Sequence, residues 1–144
     1  VAERVFFYGT LRRGLARYDR SRFAPKLVFE GFGWIAAALF DLGPYPGAIP
    51  STDCRVRGEL HRMTEGAGVL QALDEIEDVR ADSPAESLYV RRLVPVTADS
   101  GQVVEAWVYF YNAPLGRAPR IASGDYVEYL SRLRRARQRA RRPS

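Results

Sequence analysis

The sequence predicts an α+β domain, a small closed or strongly curled sheet accompanied by two helices. Three observations predict it. Five segments rich in β-forming residues are punctuated by Gly and Pro. An Asp-Ser-Gly turn joins two of them. Two stretches carry apolar residues at helical spacing. At 144 residues, 47% of them hydrophobic, the chain is long enough for one domain with a sizeable core and too apolar for a disordered one.

Each element follows from its residues. Residues 3–8 (ERVFFY) form a short apolar run closed by Gly9, which reads as a buried strand. Residues 10–25 carry Gly14, several arginines and Pro25 and read as a loop. Residues 27–42 read as a strand with bulges or bends at Gly31 and Gly33. Residues 43–50 (GPYPGAIP) hold three prolines and two glycines, which predicts a rigid, turn-rich connection. Residues 54–63 alternate. Val56, Gly58 and Leu60 take one face and Arg57, Glu59 and His61 the other, so this strand is expected to be half-buried, with His61 at the surface or a pocket rim. Thr64 is the expected N-cap of a helix running to about Glu77. A polar loop occupies 79–87. Two further strands, 88–97 and 102–111, are joined by the hairpin signal Asp99-Ser100-Gly101. Tyr89 and Arg91 share a face of the first, and Trp107, Tyr109 and Tyr111 share a face of the second; such stripes are usually core. Ser123 is the expected cap of a last helix, whose apolar stripe is Tyr126, Tyr129, Leu130 and Leu133.

The net charge of +5 is unevenly placed. Seven arginines and no acid lie in 132–144, leaving 15 basic against 17 acidic residues in 1–131, a net of −2. The organisation is therefore one domain over 1–131 followed by an arginine-rich tail over 132–144. That tail could contact nucleic acid or an anionic membrane. Its lack of stacking aromatics favours a solvated helix end instead. A single cysteine, Cys54, excludes an intrachain disulfide framework, and a single histidine, His61, excludes paired-histidine metal motifs. No metal or other cofactor is expected, and a reducing, cytoplasmic setting fits. No apolar run approaches the ~20 residues of a membrane span.

One carboxylate stands out. At about 100° per residue, Val69, Leu70, Leu73 and Ile76 form an apolar stripe, and Glu77 falls within it. Asp74, Glu75 and Asp78 point elsewhere and read as solvated acids. An inward carboxylate loses hydration, which moves its pKa toward the range useful for proton transfer; a helix-end acid that snorkels or pairs with arginine fits the same spacing. The turn Tyr8-Gly9-Thr10-Leu11 offers consecutive backbone amides that can hold an anion, or is simply a strand-to-loop turn. Arg12 and Arg13 follow it and could attract an anion, though loop arginines are usually solvated.

The motifs VFFYGTLRRG (5–14), GPYPGAIP (43–50), GELHRM (58–63), LDEIE (73–77), YVRR (89–92), AWVYFYN (106–112) and IASGDYVEYL (121–130) occur in this order. Together they resemble the γ-glutamylcyclotransferase-like family of the avirulence-induced-gene type, and within it the γ-glutamylamine cyclotransferases. The resemblance covers roughly residues 4–131. It implies a small mixed β-barrel with flanking helices and one ligand cavity. It implies that Tyr8, Gly9, Thr10 and Leu11 hold the α-carboxylate of a small γ-glutamyl substrate, chiefly through backbone amides. It further implies Glu77 as general acid/base and Tyr89 and Tyr111 as cavity walls. Asp78 stands where family members often have glycine, and Tyr126 where tryptophan is common. The activity so implied is release of 5-oxoproline and a free amine, with no cofactor. The alternative is a catalytically silent binding module of the same fold.

Overall fold

The computed structural model describes residues 3–9, 24–76 and 87–141. The described elements are β1 (Arg4–Phe7), a 3-10 turn (Ala24–Lys26), β2 (Leu27–Asp41), β3 (Pro46–Met63), α1 (Gly66–Ile76), β4 (Tyr89–Ala98), β5 (Val103–Tyr111) and α2 (Tyr126–Arg141). The strands close into a barrel in the order β1-β3-β2-β4-β5. All pairings are antiparallel except β1 with β5, where Val5 lies beside Trp107 in a parallel bridge. The barrel is therefore mixed.

Alternation along the strands makes two apolar layers. Phe6, Leu39, Val56, Val96, Val108 and Phe110 belong to one cluster, which fills the barrel. Val5, Phe7, Met63, Tyr89 and Tyr109 belong to the other, packed with Val69 and Leu73 of α1 against the outer wall. Gly31, at φ 122°, marks the register shift between Phe29 and Gly31, so the bulge expected there is present. The hairpin at 98–102 is likewise present, with Gly101 at φ 92° and its amide donating to the Ala98 carbonyl at 2.8 Å.

Several expectations are corrected. The proline-rich segment expected as a connection is partly strand, because Pro46 opens β3 and Pro50 sits at the register break beside Ala37, both positions that tolerate a missing amide donor. Glu59 and His61 do not form a solvent face. They are 3% and 0% exposed, because the Phe7 and Phe29 rings pack on His61 with centroids 5.2 and 5.5 Å away. Thr64 precedes the cap of α1: Glu65 accepts the first helical bond from the Val69 amide, while the Thr64 hydroxyl donates to the Lys26 carbonyl. Asp125, not Ser123, caps α2, accepting the amides of Val127 and Glu128 on Oδ1 at 3.1 and 3.3 Å. Ser123 accepts the Asp125 amide instead.

The approach to α2 is tightly built. The Ile121 amide donates to the Leu39 carbonyl, and Arg57 donates its amide to the Gly124 carbonyl. Gly124 has φ 69°, and a Cβ there would overlap the Arg55 carbonyl oxygen. Tyr126 is buried in the barrel cluster, and the Tyr129 hydroxyl donates to Asp41 at 2.6 Å. α2 then continues without a break across position 131 into the arginine-rich segment.

Candidate active site

One end of the barrel gathers the carboxyl ends of β1, β2 and β5 and the amino ends of β3 and β4. The direction of the ladders requires this, since β5 runs parallel to β1 and β3 and β4 run opposite to their neighbours. Tyr8 and Gly9 lie there, immediately after β1. The Tyr8 side chain is buried in the barrel cluster. Its hydroxyl donates to the Tyr109 carbonyl at 2.6 Å and accepts the Ala48 amide at 3.2 Å, tying β1 to β3 and β5. Gly9 sits hard against the start of β3, where a Cβ would lie 2.7 Å from Pro46 Cγ. Close approach, not a positive φ, is what demands glycine here.

Tyr89 opens β4 opposite Tyr111, which closes β5. Their rings meet edge to face with centroids 5.5 Å apart. The Tyr89 hydroxyl donates to the Pro46 carbonyl at 2.8 Å. Four of the residues singled out in the sequence, Tyr8, Gly9, Tyr89 and Tyr111, thus converge around Pro46–Ala48. The remaining three, Thr10, Leu11 and Glu77, lie outside the described residues, as do Arg12, Arg13 and Asp78.

Sequence reasoning missed two contributors. Tyr45 packs against Tyr89 with ring centroids 6.1 Å apart. The signal was available, since an aromatic held between Pro44 and Pro46 has little backbone freedom. Asp74 is no solvated acid. It accepts the Tyr109 hydroxyl at 2.5 Å and lies 3.4 Å from the Arg91 Nε. On the wheel it sits only about 40° from Leu70, at the stripe's edge, where a carboxylate can reach the barrel wall. Arg91 in turn covers the Trp107 ring, 4.7 Å from its centroid. The last turn of α1 is therefore pinned to β4 and β5, two residues along the ladder from the Tyr89–Tyr111 pair.

Beside the rim, Glu59 Oε1 and His61 Nε2 are 3.0 Å apart, with Glu59 opposite Phe7 on the ladder. Among the described residues no three His, Cys, Asp or Glu side chains cluster as metal ligands. Among them, too, no helix is long and apolar enough to cross a membrane.

Comparison with known proteins gives a consistent picture. The model of the family described as gamma-glutamyl cyclotransferase, AIG2-like, matches residues 5–128. The chain is 29% identical over 126 residues to the gamma-glutamylcyclotransferase family protein YtfP of Escherichia coli, covering 87% of this chain and 96% of that protein. The crystal structure of an AIG2-like protein from Mus musculus superposes with a TM-score of 0.66 at 25% identity, covering 86% of this chain and 87% of that one. An uncharacterized protein of Pyrococcus horikoshii shares the fold, with a TM-score of 0.62 at 22% identity over 93% of this chain and 98% of that one. The mixed barrel and the family match over most of its length agree: the chain belongs to the gamma-glutamyl cyclotransferase, AIG2-like family.

Proposed function

We propose that this protein is a γ-glutamyl cyclotransferase that converts a γ-glutamyl amide or peptide into 5-oxoproline and a free amine. The substrate carries its own nucleophile. Its α-amine attacks the γ-carbonyl carbon and closes a five-membered ring, and the amide C–N bond then breaks. Holding the substrate folded makes the step intramolecular, which can supply an effective molarity of about 10⁵ M or more. In this reading Glu77 takes the proton from the attacking amine and returns it to the departing one, so protons balance without a cofactor. The backbone of Gly9, Thr10 and Leu11 holds the α-carboxylate, and Tyr89 and Tyr111 wall the cavity.

The observation that carries this reading is the anchoring of α1. Asp74, three residues before Glu77 in the chain, is bonded to Tyr109 and Arg91 on the strands that end at Tyr89 and Tyr111. The close packing of Gly9 on Pro46 at the same rim supports the assignment of the carboxylate cradle.

The test is a panel of γ-glutamyl peptides and γ-glutamylamines, with 5-oxoproline quantified after incubation. At least one substrate is expected to yield 5-oxoproline with wild type. Glu77→Gln should keep the fold and lose about 10²-fold or more in turnover. No product from any member of the panel, or wild-type turnover by Glu77→Gln, overturns the reading.

A further inference from the structure

The second half of α2 stands apart from the rest of the described fold. Tyr126, Tyr129 and Leu130 pack against the barrel, but every residue from Arg134 to Arg141 is exposed. This part of the helix has solvent on all sides. Over the ten residues 132–141 it extends about 15 Å. It holds six arginines and no acid. Arg132 is paired with Glu128 one turn back, at 2.9 and 3.0 Å. Arg134, Arg135, Arg137, Arg139 and Arg141 have no ion-pair partner among the described residues. Arg135 and Arg139, and Arg137 and Arg141, are spaced i,i+4, where like charges repel. The helix concentrates cations at a cost to its own stability, while the rest of the chain, residues 1–131, carries a net −2.

We propose that this helix is a docking surface for duplex DNA, entering the major groove and gripping the phosphates on both sides. The wheel supports the choice. At about 100° per residue, Ala136, Arg137 and Ala140 continue the line of Tyr129, Leu130 and Leu133 beyond the barrel, and Arg134, Arg135, Arg139 and Arg141 fan around the remainder. A helix is about 10–12 Å across and the B-form major groove about 12 Å wide, so arginines on opposite flanks reach phosphates of opposite strands. The facing charge is dense, about one per 1.7 Å of duplex, and binding replaces repulsion between arginines with attraction to it. An anionic membrane fits less well. Beyond Leu133 the apolar stripe offers only alanines, which cannot bury enough surface to hold a helix in the interface. A-form RNA has a major groove too narrow for a helix.

The experiment uses the full chain and a fluorescein-labelled mixed-sequence 20-base-pair DNA, with anisotropy read across NaCl concentrations. Five phosphate contacts predict that log K falls with log[NaCl] at a slope of about −4.5. The variant R134Q/R135Q/R137Q/R139Q/R141Q keeps good helix formers and relieves the repulsion, so the helical circular dichroism should persist and Tm should not fall. Its affinity for DNA at low salt should fall at least about 100-fold. No binding at low salt, a slope shallower than about −1, or wild-type binding by the glutamine variant overturns the proposal. So does equal or tighter binding to an RNA duplex or to phosphatidylserine vesicles.

Discussion

The Tyr109 hydroxyl donates to Asp74 Oδ1 across the gap between the barrel wall and α1. With the Arg91–Asp74 contact it forms the polar fastening of a largely apolar interface, and it sits at the helix end that leads into Glu77. Tyr109→Phe removes the donor and nothing else of the packing. A hydrogen bond to a charged group contributes about 1.5–3 kcal/mol, so stability in urea should fall by about that much. Turnover with a γ-glutamyl substrate should fall by more than the loss of folded protein explains, because the last turn of α1 is released. Wild-type turnover per folded molecule would show that this anchor does not position the site.

Gly9 tests the carboxylate cradle separately from proton transfer. A Cβ at this position already lies 2.7 Å from Pro46 Cγ, and Pro46 is held in turn by Tyr89. Gly9→Val must push the turn and β3 apart. The expected outcome is a KM raised about tenfold or more, with kcat less affected, since ground-state binding is what moves. An unchanged KM would remove the turn from the binding site.

The buried pair Glu59–His61 should contribute to stability. His61→Leu leaves a carboxylate inside without the imidazole it faces at 3.0 Å. Removing one partner of a buried hydrogen bond costs about 1–3 kcal/mol. Denaturant titration measures this directly, and a loss below about 1 kcal/mol would mean the carboxylate is well accommodated without the imidazole.

α2 should make the fold sensitive to alkali. The hydrogen bond from Tyr129 to Asp41, aided by burial, raises that phenol above its ordinary 10.0. Burial, aided by the Asp41 charge, raises Tyr126 likewise. A folded-state pKa above the unfolded one means the neutral phenol is favoured in the fold. The stabilisation is therefore complete below pH 10.0 and is lost as pH rises through the elevated folded values. Tyr129→Phe should lose less stability than wild type between about pH 9 and about pH 11.5. Equal losses would show that Tyr129 does not couple α2 to pH.

How much of this was legible in the sequence depended on range. The Gly31 bulge and the Asp99-Ser100-Gly101 hairpin are set by residues within a few positions of each other, and both were read correctly. The caps were misread by one or two positions because Thr64, Glu65, Ser123 and Asp125 are all chemically competent, and only the approach of Lys26 and the 119–124 segment decides among them. Glu59 and His61 looked like a solvent face because alternation reveals two faces but not whether the second is covered; Phe7 and Phe29 cover it. Asp74 looked solvated for the same reason, since its partners, Arg91 and Tyr109, lie on other elements. At the rim, Tyr8, Gly9, Tyr89 and Tyr111 were picked out individually. The sheet order, which no local pattern encodes, is what places them side by side.

The closure of the barrel through Val5 and Trp107 also bears on biosynthesis. β1 is the first described strand to leave the ribosome and β5 the last, about 100 residues later. Throughout that interval β1 has only β3 to pair with, and its apolar residues Val5, Phe6 and Phe7 have no second neighbour. Folding must therefore wait for nearly the whole domain, and pairings this distant in sequence are slow to form. Until β5 pairs with it, β1 keeps one open apolar edge, and such an edge makes a folding intermediate prone to aggregate.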